Sequence, residues 1–71
     1  MTLKDIFRAI PPTYHVTVTD YVDKTIYFDS KPAKEITKTP LYKVSADKWF
    51  VLKMDIGHAF DDIIIRIVKN Y

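Results

Sequence analysis

Apolar residues fall at helical spacing at the start of this chain and alternate with polar ones over much of the rest. Leu3, Ile6, Phe7 and Ile10 stand at i, i+3, i+4 and i+7, the single stripe of a short helix over residues 2–10. Thr2 is placed to cap it, and Asp5, three residues on, makes a capping-box-like pair that also suits the helix dipole. Pro11 and Pro12 stop it. About two turns of helix do not persist alone in water, so the stripe must dock on something.

Residues 14–20 alternate as a half-buried strand, with Tyr14, Val16 and Val18 on one face and His15, Thr17 and Thr19 on the other. A turn at residues 20–23, without glycine, leads to a return strand over 25–29, where Ile26 and Phe28 face inward and Thr25 and Tyr27 outward. Ser30 and Pro32 suit the start of a brief helical turn over 30–36, ended by Lys38-Thr39-Pro40. Residues 42–44 are expected to extend back into the sheet. A third strand follows over 49–56, with Phe50, Leu52, Met54 and Ile56 on the core face and Trp49, Val51, Lys53 and Asp55 on the other. Gly57, the single glycine, is expected to take a positive φ in the next loop.

The closing strand, residues 61–70, is nearly unbroken β-branched sequence with one arginine set into it. Ile63, Ile65 and Ile67 are expected in the core, opposite Ile64, Arg66 and Val68. A strand apolar on both faces needs cover on one and partial cover on the other. The order α, β, β, short α, β, β predicts an α+β fold. Its four-stranded, mainly antiparallel sheet is built from two hairpins, with the N-terminal helix packed on one face. The expected core is the helix stripe with Val16, Val18, Ile26, Phe28, Phe50, Leu52, Met54, Ile63, Ile65 and Ile67.

At 71 residues the chain is a single domain spanning residues 1–71. Its 48% hydrophobic and 28% charged residues are those of a globular protein. A domain this small buries only ~60% of its unfolded surface, so an oligomer or a partner would help it. The absence of cysteine excludes disulfides and thiolate metal sites. No apolar run approaches the ~20 residues of a membrane span, and the charged start has no signal-peptide core. These features lead us to expect a complete cytoplasmic product.

The net charge of +2 is unevenly spread: residues 31–53 hold six lysines against Glu35 and Asp47, a local +4. A basic middle suits phosphates or an acidic protein, or simply a solvated surface.

Three stretches resemble a family. The Met1-Thr2-Leu3-Lys4-Asp5-Ile6-Phe7 opening, the Val16-Thr17-Val18-Thr19-Asp20 strand and the Asp61-Asp62-Ile63-Ile64-Ile65-Arg66-Ile67-Val68 strand are together similar to short, uncharacterised α+β accessory proteins of phages and prophages of Gram-positive bacteria. The resemblance implies a mobile-element context and, by analogy, action by binding and blocking a host factor. It carries over no functional residue.

Four functional readings follow from these residues. Asp55, His58, Asp61 and Asp62 lie within eight residues around one loop and include hard metal ligands. Their spacing matches no ligand pattern, and acids with glycine are also ordinary turn content. Tyr27, Trp49, Lys53 and Arg66, expected on the outer sheet face, suit single-stranded nucleic acid, with Lys43 and Lys48 adding charge. No RNA-binding motif accompanies them. The same face, with Tyr27, Trp49, Val51, Lys53, Ile64, Arg66 and Val68, has the composition of a protein interface core. For catalysis there is no cysteine nucleophile, phosphate loop or nucleophile elbow, and the two histidines lie on different elements. We therefore expect a non-catalytic, cofactor-free and metal-free protein that binds another protein or itself. A nucleic-acid module is the alternative.

Overall fold

The opening stripe folds as its spacing predicts. In the computed structural model, which describes residues 1–69, helix α1 spans Leu3–Ala9. The capping box closes: the Asp5 N–H donates to Thr2 Oγ1 (3.4 Å) and the Thr2 N–H donates to Asp5 Oδ2 (3.0 Å). Two donors that a helix start leaves free are thereby satisfied. Leu3, Ile6, Phe7 and Ile10 are all buried.

Strands β1 (His15–Asp20) and β2 (Ile26–Pro32) form the first hairpin, and β3 (Trp49–Ile56) and β4 (Asp62–Lys69) the second. Asn70, the expected last residue of the closing strand, lies outside the described residues. The strands pair in the order β2-β1-β4-β3, with β1 and β4 parallel at the centre. The α+β fold and the mainly antiparallel sheet are therefore as expected. The two hairpins meet through their first and last strands.

The connection between the hairpins carries two more helices, α2 (Ala33–Ile36) and α3 (Pro40–Ser45). Two local expectations change here. Ser30 is not a helix cap; it lies in β2 at a φ of 50°, and α2 begins only after Pro32. Pro40 starts a helix instead of ending one, and it draws Tyr42–Val44 into α3 and away from the sheet. Proline needs no N–H partner in a first turn, and the Thr39 hydroxyl before it accepts from the Tyr42 N–H (3.2 Å).

All three helices pack on one face of the sheet. Leu3, Ile6 and Phe7 of α1 and Ala33 and Ile36 of α2 join Val16, Val18, Phe28, Ile65 and Ile67 in one core. Tyr42 of α3 packs against it, its ring 5.1 Å from that of Phe7. Residues 31–45 thus share the face of α1 and do not cover the other one.

Strand β3 departs most from expectation. Its pairing with β4 slips between Val51 and Lys53, leaving Leu52 as an extra residue. Such a bulge reverses which face the following residues take. Before it, Trp49 and Val51 face the helices and Phe50 faces outward, paired with Val68. After it, Lys53 and Asp55 pair with the outward Arg66 and Ile64, while Met54 and Ile56 pair with Ile65 and Ile63. Trp49 is consequently core, at 7% exposure, whereas Phe50, Leu52, Met54 and Ile56 are all exposed. Met54 and Ile56 regain the helix side. There α1, which starts beside Phe50 and leads to the beginning of β1, no longer covers them.

Strand β2 slips as well. Ile26 opposes Thr19 and is 58% exposed, against expectation, while Phe28 opposes Val18 and is buried. Tyr27 is half-buried on the core side, its ring 4.6 Å from that of Trp49. Gly57 does not take a positive φ; Lys24 and Ser30 do. What Gly57 supplies is room. A Cβ there would lie 2.8 Å from Asp62 Oδ2 and 3.3 Å from the Asp62 carbonyl oxygen.

Candidate functional site: the uncovered sheet face

With every helix on one side, the opposite side of the sheet has no cover among the described residues. Strand pairing decides which side chains it carries. Thr19, Arg66 and Lys53 follow one another across β1, β4 and β3, then Thr17, Ile64 and Asp55. Phe50 and Val68 sit side by side toward one end, and Ile26 lies beside Thr19 on β2. Phe50 is 40% exposed and Ile26 58%. Ile64 and Val68 are half-buried by their strand neighbours.

A charged group is set among these apolar residues. The Arg66 guanidinium donates to Asp55 Oδ2 at 2.6 Å, and Lys53 Nζ stands 3.8 Å from the same oxygen. The pair is partly exposed, which limits its contribution to ~0–1 kcal/mol of stability. It fixes the arginine in place on the sheet and leaves one net positive charge in the group.

Of the seven residues expected on this face, Lys53, Ile64, Arg66 and Val68 are there. Trp49, Val51 and Tyr27 are not: they belong to or pack against the core. The structure adds Phe50 and Ile26, which alternation alone assigns to the core. Nothing in their identity marks them as outward; only the slips in β3 and β2 do.

The other candidate groups are not assembled. Tyr27 and Trp49 stack on each other on the helix side, away from Lys53 and Arg66. Lys43 lies on α3 and Lys48 in the turn after it, so the expected mixture of rings and bases does not share one surface. Asp55 turns to Arg66, while Asp62 folds back on its own loop and accepts from the His58 N–H (3.3 Å). Among the described residues no group of three or more potential ligands is placed to hold a metal ion. No described helix is long and apolar enough to cross a membrane.

Compared with known proteins, the chain matches no family model, no curated protein and no solved structure. Its own geometry must therefore support any functional reading.

Proposed function

We propose that this is a small binding protein whose uncovered sheet face docks on another protein. The observation that carries the reading is the outward set of Phe50, Val68, Ile64 and Ile26 around the Arg66–Asp55–Lys53 group, with every helix on the opposite side. Apolar side chains with an aromatic ring beside an oriented arginine have the composition of an interface. Lys53 and Arg66 lie on the opposite side of the sheet from Tyr27 and Trp49, which favours this reading over the nucleic-acid alternative; the cation over the Tyr27 ring is Lys69, whose Nζ stands 4.8 Å from its centre. The resemblance to phage and prophage accessory proteins supplies a context, in which the partner is a host factor that the protein blocks.

The test is capture from a host lysate with the tagged protein, with and without nuclease, at low and high salt. Wild type is expected to retain a defined partner in all four conditions, because an apolar interface is insensitive to ionic strength. Binding through phosphates would fall steeply with salt. Phe50→Asp and Ile64→Lys should each abolish capture without loss of fold. Retention by both variants, or loss of the partner on nuclease treatment, would count against the proposal.

A further inference from the structure

We infer that the open edge of β3 pairs with β3 of a second copy of this chain, in an antiparallel register centred on Met54. The inference concerns the edge of the sheet, not its face, and stands apart from the reading above.

β3 is an edge strand, and its free length is bounded at both ends. At one end the chain's own start occupies it: Thr2 bridges to Phe50, and the Val51 N–H donates to the Met1 carbonyl (2.9 Å). At the other end the Gly57 N–H turns inward to the Asp62 carbonyl (2.6 Å), where the hairpin loop begins. Among the described residues nothing pairs with Leu52–Ile56 between them, and Leu52, Met54 and Ile56 are at 53%, 41% and 69% exposure. In an antiparallel ladder, bonded and non-bonded pairs alternate. From the bonds at Val51 and Gly57, Lys53 and Asp55 direct their amides to β4, while Met54 and Ile56 direct theirs to the open edge.

The midpoint of this window is Met54, and about that point the sequence Leu-Lys-Met-Asp-Ile is complementary to itself. A two-fold axis through Met54 sets Lys53 opposite the partner's Asp55 and Asp55 opposite the partner's Lys53. It pairs Leu52 with the partner's Ile56, and the two Met54 amides and carbonyls bond reciprocally. Two-fold registers centred one residue away place Asp55 against the partner's Asp55 or Lys53 against the partner's Lys53. Opposed like charges across strands are destabilising. A register centred between residues would pair an outward side chain with an inward one. Charge and pleat therefore select one alignment, and the closed ends of the window match it. The product is a continuous eight-stranded sheet with a self-complementary interface.

Sedimentation equilibrium of wild type, Met54→Pro and Met54→Cys tests this. Wild type is expected as a dimer. Proline at 54 removes a donor that faces the open edge and none from the β3–β4 ladder. Met54→Pro should therefore become monomeric with an unchanged circular dichroism spectrum. The chain has no native cysteine, and a directly opposed bonded pair has Cα atoms ~5.5 Å apart, within disulfide range. Met54→Cys should cross-link on mild oxidation, while Ile26→Cys, on the other edge strand, should not. A monomeric wild type, or a folded Met54→Pro that stays dimeric, overturns the inference. If Met54→Pro does not fold, failure of Met54→Cys to cross-link overturns it. Partner capture by a monomeric Met54→Pro would separate this edge from the face described above.

Discussion

Gly57 is small because Asp62 occupies the space beside it, not because its backbone is left-handed. The Asp62 side chain accepts from the His58 N–H, and the Asp62 carbonyl accepts from Gly57 itself. A methyl at 57 would press on both. Gly57→Ala should therefore destabilise the protein by ~1–3 kcal/mol, the usual consequence of overpacking, read by urea unfolding. The first turn makes a second residue-scale case. The Val22 N–H donates to Asp20 Oδ1 (2.8 Å), the Asp23 N–H to the same oxygen (3.2 Å), and the Tyr27 hydroxyl to Oδ2 (3.2 Å). These bonds, the one from Val22 foremost, outweigh desolvation and hold the Asp20 carboxyl below its ordinary pKa. A lowered folded pKa adds stability above the unfolded value, and that stability is lost as pH falls through the folded value. Asp20→Asn should melt a few degrees below wild type at neutral pH, with the gap closing once pH drops below ~4. Measuring both melting curves from neutral pH into acid checks this. The capping box at Thr2 and Asp5 could be read from the sequence because all its atoms lie within one turn. The role of Gly57 could not, because the atom it makes room for belongs to the next strand.

At the scale of elements, β3 shows how one residue changes a surface. Strict alternation groups Phe50 with Leu52, Met54 and Ile56, and a strand without a bulge would bury them together. Leu52 instead stands unpaired, so Trp49 and Val51 face the core before it and Lys53 and Asp55 face outward after it. Two alanine variants separate the alternatives. Trp49→Ala should cost about 3–5 kcal/mol, as for a core aromatic. Phe50→Ala should change stability far less and act on partner binding instead. Equal losses in thermal or chemical unfolding would contradict the face assignment. The existence and length of β3 and β4 were legible, because runs of apolar and β-branched residues between turns are local signals. The bulge was not. It depends on how β3 meets β4, a match between segments that neither sequence shows alone.

At the scale of the molecule, the closing strand raises the question of what covers its second face. Ile63, Ile65 and Ile67 are met by α1 and by the helices of the connection. Ile64, Arg66 and Val68 are met by no described element, only by their neighbours in the sheet. Because α1, α2 and α3 all lie on one side, the protein presents a wide, partly apolar sheet face and a bounded free edge. The partner and the second copy proposed for them use different atoms, so a variant at Phe50 and one at Met54 should have separable effects. The sequence by itself determined the first helix and its stripe, the four strands, the hairpin pairs and the inward Ile63, Ile65 and Ile67, but not α3 or the outward Ile26. These follow from periodicity and from turn and cap residues within a few positions of each other. Only the tertiary structure decided that β1 lies parallel to β4, that residues 31–45 join α1, and that Phe50 faces out while Trp49 faces in. Each depends on the packing of segments far apart in the chain, where a one-residue slip exchanges the two faces of a strand.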